Sequence, residues 1–325
     1  MDESLKVNPR YVLALRILLV MVVGLMALGA GVRTMNAGLS CPDWPLCFGK
    51  VIPDFHPAVW FEFVHRAYAG LVSIAFMSCA VFAFRSANVP LGAKRGAALG
   101  CVFLVLQILA GGLTVLLLVK AIVVTMHLML ATFFFLSVLW MNFAVTKKPA
   151  KALESAPEAL RWIITLPLAV LVQIFIGGLV ASTYAGSVCV DWPLCNGQWV
   201  PTWTGVIGLQ ILHRLVAYTL AVAIPALAFA FWRLRGRAWM TSQFLGLLMW
   251  AAALVFVQVG IGIANLLYYI PPRLTVLHQT VAIVLLAFSV RIWFVSRSLF
   301  SAPAENRVGD RVPPSQTPQS SLQPS

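Results

Sequence analysis

Long apolar runs alternate with short polar segments along most of the chain. Eight runs are long enough to cross a bilayer, which takes about 20 residues of helix, and they cover residues 11–33, 64–84, 97–119, 121–145, 162–183, 210–232, 240–268 and 274–296. One helix over the third and fourth runs would be roughly 73 Å long at about 1.5 Å per residue, so we predict a turn near Lys120. The first run is followed directly by further spans, which favours a retained helix over a cleaved signal peptide. The pattern predicts an all-α polytopic membrane protein with eight transmembrane helices.

The composition agrees with lipid as the solvent. Hydrophobic residues make up 61% and charged residues 10% of the 325 residues, whereas soluble domains carry about 25% charged residues. With a mean hydropathy of +0.90, the chain has too little polar surface to cover a water-soluble globule. A cytosolic enzyme is therefore excluded.

The net charge of +13 is compatible with nucleic acid or with an anionic surface as partner, and the positions of the charges decide between them. If both termini are cytoplasmic, 17 of the 23 basic residues lie on the cytoplasmic side, and the others are Arg33, Lys50, Arg66, Lys120, Arg214 and Arg273. This asymmetry follows the positive-inside rule. We predict that the charge orients the protein in the membrane and that it does not bind nucleic acid.

An internal duplication organises the chain. The segment CPDWPLCFGKVIP at Cys41–Pro53 recurs as CVDWPLCNGQWVP at Cys189–Pro201, a shift of 148 residues. The same shift relates His65 to His213, and a shift of 151 relates His127 to His278. Because four spans repeat, the two copies have the same orientation and are related by an axis along the membrane normal. We predict two tandem, pseudo-symmetric four-helix bundles.

The duplication divides the chain into an N-terminal half at residues 1–145 and a C-terminal half at residues 162–297. The polar segment at 146–161 is predicted to be a cytoplasmic linker. Residues 298–325 are rich in Pro, Ser and Gln and cannot bury enough apolar surface to fold. We predict a disordered cytoplasmic tail there.

Four of the five histidines form the repeated set His65, His127, His213 and His278. Each is predicted in the first turns of an even-numbered helix, on the non-cytoplasmic side, where an ionisable group needs a partner in the bundle interior. A single histidine would be explained by an interhelical hydrogen bond. Two matching pairs favour axial ligation of haem iron between facing helices, since zinc or copper would need further ligands and no Cys, Asp or extra His is supplied at this depth of the second half.

Two arginines follow directly after histidines of this set, Arg66 after His65 and Arg214 after His213. Each can snorkel to the membrane interface or pair with a haem propionate through its two-pronged guanidinium. Their identical placement favours binding of the propionates.

One carboxylate, Glu62, lies close to the predicted histidine site, whereas the other nine acidic residues fall in loops or tails. It precedes His65 by three residues and shares its helix face. It can serve as a structural partner of Arg66 or of a backbone amide. Its repeat counterpart, however, is Gln210, which favours acid-base chemistry in the first half and a holding or electron-relay role in the second.

The six cysteines fall into two classes. Cys79 and Cys101 are isolated within spans and are interpreted as packing residues. Cys41 with Cys47, and Cys189 with Cys195, occupy outer loops in an oxidising compartment, where each pair can close a small ring. A structural staple and a redox role both remain open, because the spacing does not separate a stable bridge from a reducible one.

These motifs together resemble the haem A synthase family over about residues 11–296. The resemblance rests on EFVHR at Glu62–Arg66, LHR at Leu212–Arg214, the two later histidines and the duplicated loop cysteines. It implies conversion of haem O to haem A by oxidation of the C8 methyl group to a formyl group through an alcohol. It also implies a bacterial cytoplasmic membrane location, partners in haem O synthase and terminal oxidase assembly, and compatibility with a homo-oligomer.

The resemblance also implies roles for individual residues. His65 and His127 would hold haem O as substrate, with Glu62 as the acid-base or proton-relay residue. His213 and His278 would ligate a resident haem b that passes electrons. Cys41 and Cys47 would take part in redox exchange, although the second half carries an almost identical loop.

Two other functions fit part of the pattern. A dihaem b-type membrane cytochrome that relays electrons from quinol accounts for the four histidines but not for the difference between Glu62 and Gln210. A membrane thiol oxidoreductase accounts for the loop cysteines and leaves the histidines without a purpose. The analysis of the sequence therefore favours haem A synthesis.

Overall fold

Eight long helices run through the computed structural model, which describes residues 7–146, 160–199, 201–236 and 241–300. They are α1 (Pro9–Thr34), α2 (Pro57–Arg85), α3 (Leu91–Leu116), α4 (Ala121–Val145), α5 (Leu160–Ser182), α6 (Gly205–Arg233), α7 (Ser242–Leu267) and α8 (Pro272–Phe300). All eight are long and apolar enough to cross a membrane. The prediction of an eight-span helical membrane protein is confirmed. Most of the predicted linker and nearly all of the predicted tail lie outside the described residues.

The predicted turn near Lys120 is present between α3 and α4. Leu118 and Val119 adopt positive φ angles of 52° and 50°, and Lys120 is the residue before α4 begins. The chain thus reverses at the point where a continuous helix would have become too long for the hydrocarbon core.

Several helices begin earlier than the apolar pattern predicts, and α3 begins at Leu91 instead of residue 97. Helix α2 begins at Pro57 instead of residue 64, and α6 begins at Gly205 instead of residue 210. Glu62 lies just before the second predicted run and Gln210 is the first residue of the sixth, and both are buried, with 3% and 7% of their surface exposed. They face the interior, so the helix continues through them, and Pro57 suits a first turn because its missing N–H has no partner to lose there.

This correction moves two histidines deeper into their helices. His65 and His213 are the ninth residues of α2 and α6, in the third turn, whereas His127 and His278 are the seventh residues of α4 and α8, in the second turn. The expectation that all four histidines lie in the first turns therefore places His65 and His213 too close to the beginnings of their helices. Their helices extend outward by about two turns beyond them.

Each half of the chain closes into a ring of four helices. In the first half α1 contacts α2 and α4, and α3 contacts α2 and α4; in the second half α5–α8 repeat this pattern. The halves meet through α1 against α8, α4 against α5, and α4 against α8. One continuous apolar core spans this interface.

Polar side chains tie the halves together at several depths. Gln279 on α8 donates to the Met26 carbonyl on α1 at 3.2 Å, and Thr125 on α4 pairs with Ser182 on α5 at 2.9 Å. Arg33, at the end of α1, donates to the Ala181 carbonyl of α5 at 3.2 Å. In an apolar environment these bonds satisfy polar groups that lipid cannot. The halves are therefore fixed against each other near the helix ends that carry the histidines.

Candidate functional site

The structure brings the four repeated histidines together as two pairs, one in each half. The imidazole rings of His213 on α6 and His278 on α8 lie 6.4 Å apart between centroids, with an angle of 69° between their planes. In the first half, His65 on α2 and His127 on α4 occupy the equivalent positions and pack against Gly29 and Gly111. All four side chains are half-buried. The pairing expected from the sequence is thus present in space.

Each imidazole packs its Cε1 edge against a glycine of the preceding odd-numbered helix. A Cβ atom built at these glycines would lie 3.0 Å from the His65 ring at Gly29, 3.2 Å from the His127 ring at Gly111, and 3.0 Å from the His213 and His278 rings at Gly177 and Gly262, respectively. These distances are too short for a real side chain without displacement of the ring. The glycines therefore set the position of every imidazole of the set.

This arrangement suits ligation of a metal between two imidazoles. Metal–nitrogen bonds of about 2 Å on either side of an ion would leave two ring centres about 6 to 6.5 Å apart, which agrees with the 6.4 Å between His213 and His278. Nδ1 of His65, His127 and His278 is buried without a hydrogen-bond partner, so each of these rings has a nitrogen available. Among the described residues, no group of three or more His, Cys, Asp and Glu could hold a metal ion. The donor set fits a metal that needs two protein ligands, such as haem iron.

The glycine contacts yield a testable expectation. We expect Gly262→Ala to lower the haem content of the second half, because the new methyl group would push His278 out of place. Gly260→Ala is the matched control, since Gly260 lies on the same helix with nothing within 4 Å of its Cβ position. The haem-to-protein ratio, measured from absorption spectra of the two purified variants, checks this. Equal ratios in the two variants would contradict the role of the glycine.

The outer loops are held by the two arginines of the histidine motifs. Arg66 donates through Nη1 to the carbonyls of Asp43 and Leu46 at 2.8 and 2.7 Å, and through Nη2 to the Cys41 carbonyl at 3.3 Å. Arg214 donates to the three equivalent carbonyls of the second loop at 2.7, 3.4 and 3.1 Å: Leu194, Cys189 and Asp191. The repeated placement of these arginines therefore has a structural purpose, and binding of propionates stays a prediction.

The halves differ at Glu62. Its carboxylate accepts from Arg66 Nη2 at 2.6 Å and from the backbone N–H of Cys41 at 2.8 Å. The counterpart Gln210 is equally buried, but its Oε1 has no hydrogen-bond partner within the described part of the chain. Glu62 thus joins the histidine helix to the loop cysteine by a direct contact. Both structural partners anticipated for it, the arginine and a backbone amide, are present.

Both pairs of loop cysteines are joined. The S–S distance is 2.02 Å between Cys41 and Cys47 and 2.05 Å between Cys189 and Cys195. Cys79 and Cys101 are free thiols within the spans. The first disulfide lies next to Glu62 because the Cys41 amide bonds the carboxylate. A redox role for either bridge stays a prediction.

An aspartate inside each loop organises its turn. The Asp43 carboxylate accepts from the amides of Phe48 and Gly49 at 2.6 and 2.7 Å, and Asp191 does the same with Asn196 and Gly197 at 2.6 and 2.8 Å. The glycine is needed in each turn because φ is +68° at Gly49 and +76° at Gly197. The bond from the Gly49 amide is the largest cause that holds the pKa of Asp43 below its usual range. Desolvation opposes it, and the bond from the Phe48 amide and the charge of Arg66 lower the pKa further.

We expect Asp43→Ala to loosen the first loop, because two turn amides lose their acceptor. Hydrogen exchange of the Phe48 and Gly49 amides should accelerate, whereas Asp54→Ala, which removes an exposed ion pair with Lys50, should leave both unchanged. A carboxylate with a lowered pKa stabilises the folded loop above its unfolded pKa of about 3.9. That stabilisation is lost as the pH falls through the lowered pKa of the folded state.

Three features of this site were not predicted from the sequence. Gly29 and Gly177 fit the repeat shift of 148 residues, and that shift was the signal that could have found them. Gln173 contacts His213, Gln107 contacts His127, and Gln258 contacts His278. The repeat alone does not indicate these contacts. The binding of the arginines to loop carbonyls has no sequence signal, because backbone acceptors carry no residue identity.

The fold and the site define a duplicated eight-helix membrane protein with one pair of histidines in each half. The family model for cytochrome oxidase assembly proteins, COX15-CtaA, matches residues 12–290. Curated relatives named haem A synthase include that of Shouchella clausii, which is 31% identical over 206 residues, or 61% of this chain and 68% of the relative. That of Shewanella oneidensis is 28% identical over 86% of this chain and 94% of the relative, and that of Bradyrhizobium diazoefficiens is 29% identical over 93% and 96%. The chain belongs to the COX15-CtaA family.

Proposed function

We propose that this protein is a haem A synthase, which oxidises the C8 methyl group of haem O to a formyl group through an alcohol. The observation that carries the proposal is the difference between Glu62 and Gln210, which occupy equivalent positions in the two halves. In both halves the imidazoles of the histidine pair pack against glycines. The first half has the carboxylate of Glu62 on the same helix as His65, in contact with Arg66 and the Cys41 amide, where the second half has Gln210. The relatives named haem A synthase support the same activity.

In this proposal the halves correspond to residues 1–145 and 162–297 and have different roles. His65 and His127 hold haem O as the substrate, and His213 and His278 hold a resident haem b. When it is bound, the resident haem b accepts electrons that the oxidation releases. Oxidation of a methyl group releases electrons and protons, so the substrate half also needs a group that can accept a proton.

Glu62 is the group that we assign to this task. It is buried, with 3% of its surface exposed, and it lies one helical turn from His65 on the same face. Its contact with Arg66 keeps the carboxylate oriented, and its contact with the Cys41 amide fixes its second oxygen. A carboxylate in this position can take up a proton near the substrate and pass it toward the outer loop. The adjacent Cys41–Cys47 disulfide is assigned to redox exchange on the same face.

The proposed setting is the bacterial cytoplasmic membrane, with both termini in the cytoplasm and the disulfide loops on the outer side. This orientation keeps most of the basic residues inside and places the disulfides in an oxidising compartment. We assign haem O synthase and the terminal oxidase assembly machinery as partners that supply the substrate and use the product, with a homo-oligomer as a compatible state.

A dihaem b-type cytochrome is the second candidate, and the presence of a histidine pair in each half favours it. The two candidates differ in what happens to the pigment. We expect that membranes producing haem O together with this protein yield haem A, identified by the mass of the extracted pigment. Recovery of unmodified haem O and haem b alone, from protein that has bound both, would overturn the synthase and favour the cytochrome.

A further inference from the structure

Three of the four repeated histidines contact a glutamine amide. Nε2 of Gln107 lies 3.2 Å from Nε2 of His127, and Nε2 of Gln258 lies 3.3 Å from Nε2 of His278. Gln173 lies 3.2 Å from Nδ1 of His213 and also donates to the His213 carbonyl at 2.9 Å. Each glutamine lies four residues before the glycine on which the same imidazole packs. One helix face thus supplies both the glycine contact and the amide.

The glutamines suit a histidine that ligates a metal through its other nitrogen. A neutral imidazole bound to a metal carries a proton on its second nitrogen, and that N–H needs an acceptor. The Oε1 atoms of Gln107, Gln173 and Gln258 are buried without a hydrogen-bond partner in the described chain. A half-turn of the Gln107 or Gln258 amide exchanges its oxygen and nitrogen, and at Gln173 the same half-turn gives up the bond to the His213 carbonyl. The acceptor that a ligating imidazole needs is therefore already beside it.

His65 is the exception. The residue four positions before its glycine, Gly29, is Leu25, where the repeat has Gln173. In the described parts of the chain, no glutamine amide contacts His65, whereas its Nδ1 is buried without a partner just as in His127 and His278. Glu62, on the same helix face, is occupied by Arg66 and the Cys41 amide. The glycine contact is the same as at the other three histidines, so the missing amide is what distinguishes this ring.

We propose that Leu25 makes His65 the exchangeable axial ligand of the protein, and that the three glutamines are positioning residues that hold the other three imidazoles on their metals. A hydrogen bond to the free ring nitrogen orients a ligand and raises its basicity, so its absence weakens the metal–nitrogen bond. This inference rests on the proposed function, because it assigns the weak ligand to the half that must admit substrate and release product. The second half, with an amide at both histidines, retains its haem.

The test uses carbon monoxide, which binds ferrous haem only where an axial ligand gives way. The full-length protein is saturated with haem b, so that the same pigment occupies both halves, then reduced and titrated with carbon monoxide. We expect one of the two haems to bind carbon monoxide. Leu25→Gln should lower that affinity by about two- to tenfold, the effect of one hydrogen bond. Leu25→Met, which adds no hydrogen-bonding group, should behave as the parent protein.

The converse variant is Gln173→Leu, which places a leucine in the second half at the position equivalent to Leu25. We expect its second haem to become reactive toward carbon monoxide, while total haem content, measured in parallel, shows that the pigment is still bound. Equal carbon monoxide affinity of both haems in the parent protein would overturn the inference, as would identical titrations of Leu25→Gln and Leu25→Met. If the halves differ as expected but haem O is never converted, the proposed function fails and the ligand assignment stands.

Discussion

Glu62→Gln is expected to abolish formation of haem A while both haem sites stay filled. The substitution removes the ionisable proton acceptor and keeps an oxygen that can accept from the Cys41 amide. Arg66 keeps its three loop carbonyls, so the loop remains attached. Loss of a general acid-base group costs about a hundredfold to ten-thousandfold in rate. The measurement is the yield of haem A by mass, together with the haem content of the purified variant.

Two companion variants separate chemistry from structure. Gln210→Ala changes the counterpart in the second half and should leave the yield of haem A within about twofold, because Gln210 Oε1 has no partner to lose in the described structure and the cost of truncation falls on packing alone. Glu62→Asp keeps a carboxylate and should recover part of the activity. Normal yields of haem A from Glu62→Gln would show that the chemistry does not depend on the first-half carboxylate.

His213→Ala is expected to remove the haem of the second half and leave that of the first. His213 would be one of the two protein ligands of that haem, and changes around metal ligands alone already lower affinity by about ten- to a hundredfold. The reduced-minus-oxidised spectrum should fall to one haem per chain. Because the haem b that accepts the electrons is then missing, formation of haem A should stop as well.

The control for this variant is His56→Ala. His56 is the fifth histidine, exposed at the residue before α2, and its side chain does not cap the helix. We expect it to bind as much haem as the parent protein. A His213→Ala protein with two haems per chain would place the second haem on other residues and contradict the assignment.

Much of the architecture could be predicted because lipid imposes strict requirements on sequence. Each span must be long and apolar, so eight helices and the turn near Lys120 were visible from the pattern. The repeat then aligned His65 with His213 and His127 with His278, and the structure pairs the two histidines of the second half, His213 and His278, with each other. Ionisable residues at membrane depth are rare enough that their repetition is itself a signal.

The errors and omissions share a physical cause. Glu62 shortened the predicted α2, because a polar residue lowers the hydropathy of a run whether or not it faces the interior. The glycine contacts at Gly29 and Gly177 depend on two helices approaching closely, which no local pattern specifies. The arginine contacts depend on carbonyls of a folded loop. Residue identity indicates which groups are available, and only packing determines which of them meet.

The central claim is that each half of the chain ligates one haem through its histidine pair. The direct measurement is the number of haems per chain in the purified full-length protein supplied with haem O and haem b, determined from absorption spectra and protein mass. The account predicts two, falling to one when either pair is disrupted, at His65 or at His213. A protein that shows no iron-porphyrin absorption under these conditions, or one haem unaffected by both substitutions, would contradict it.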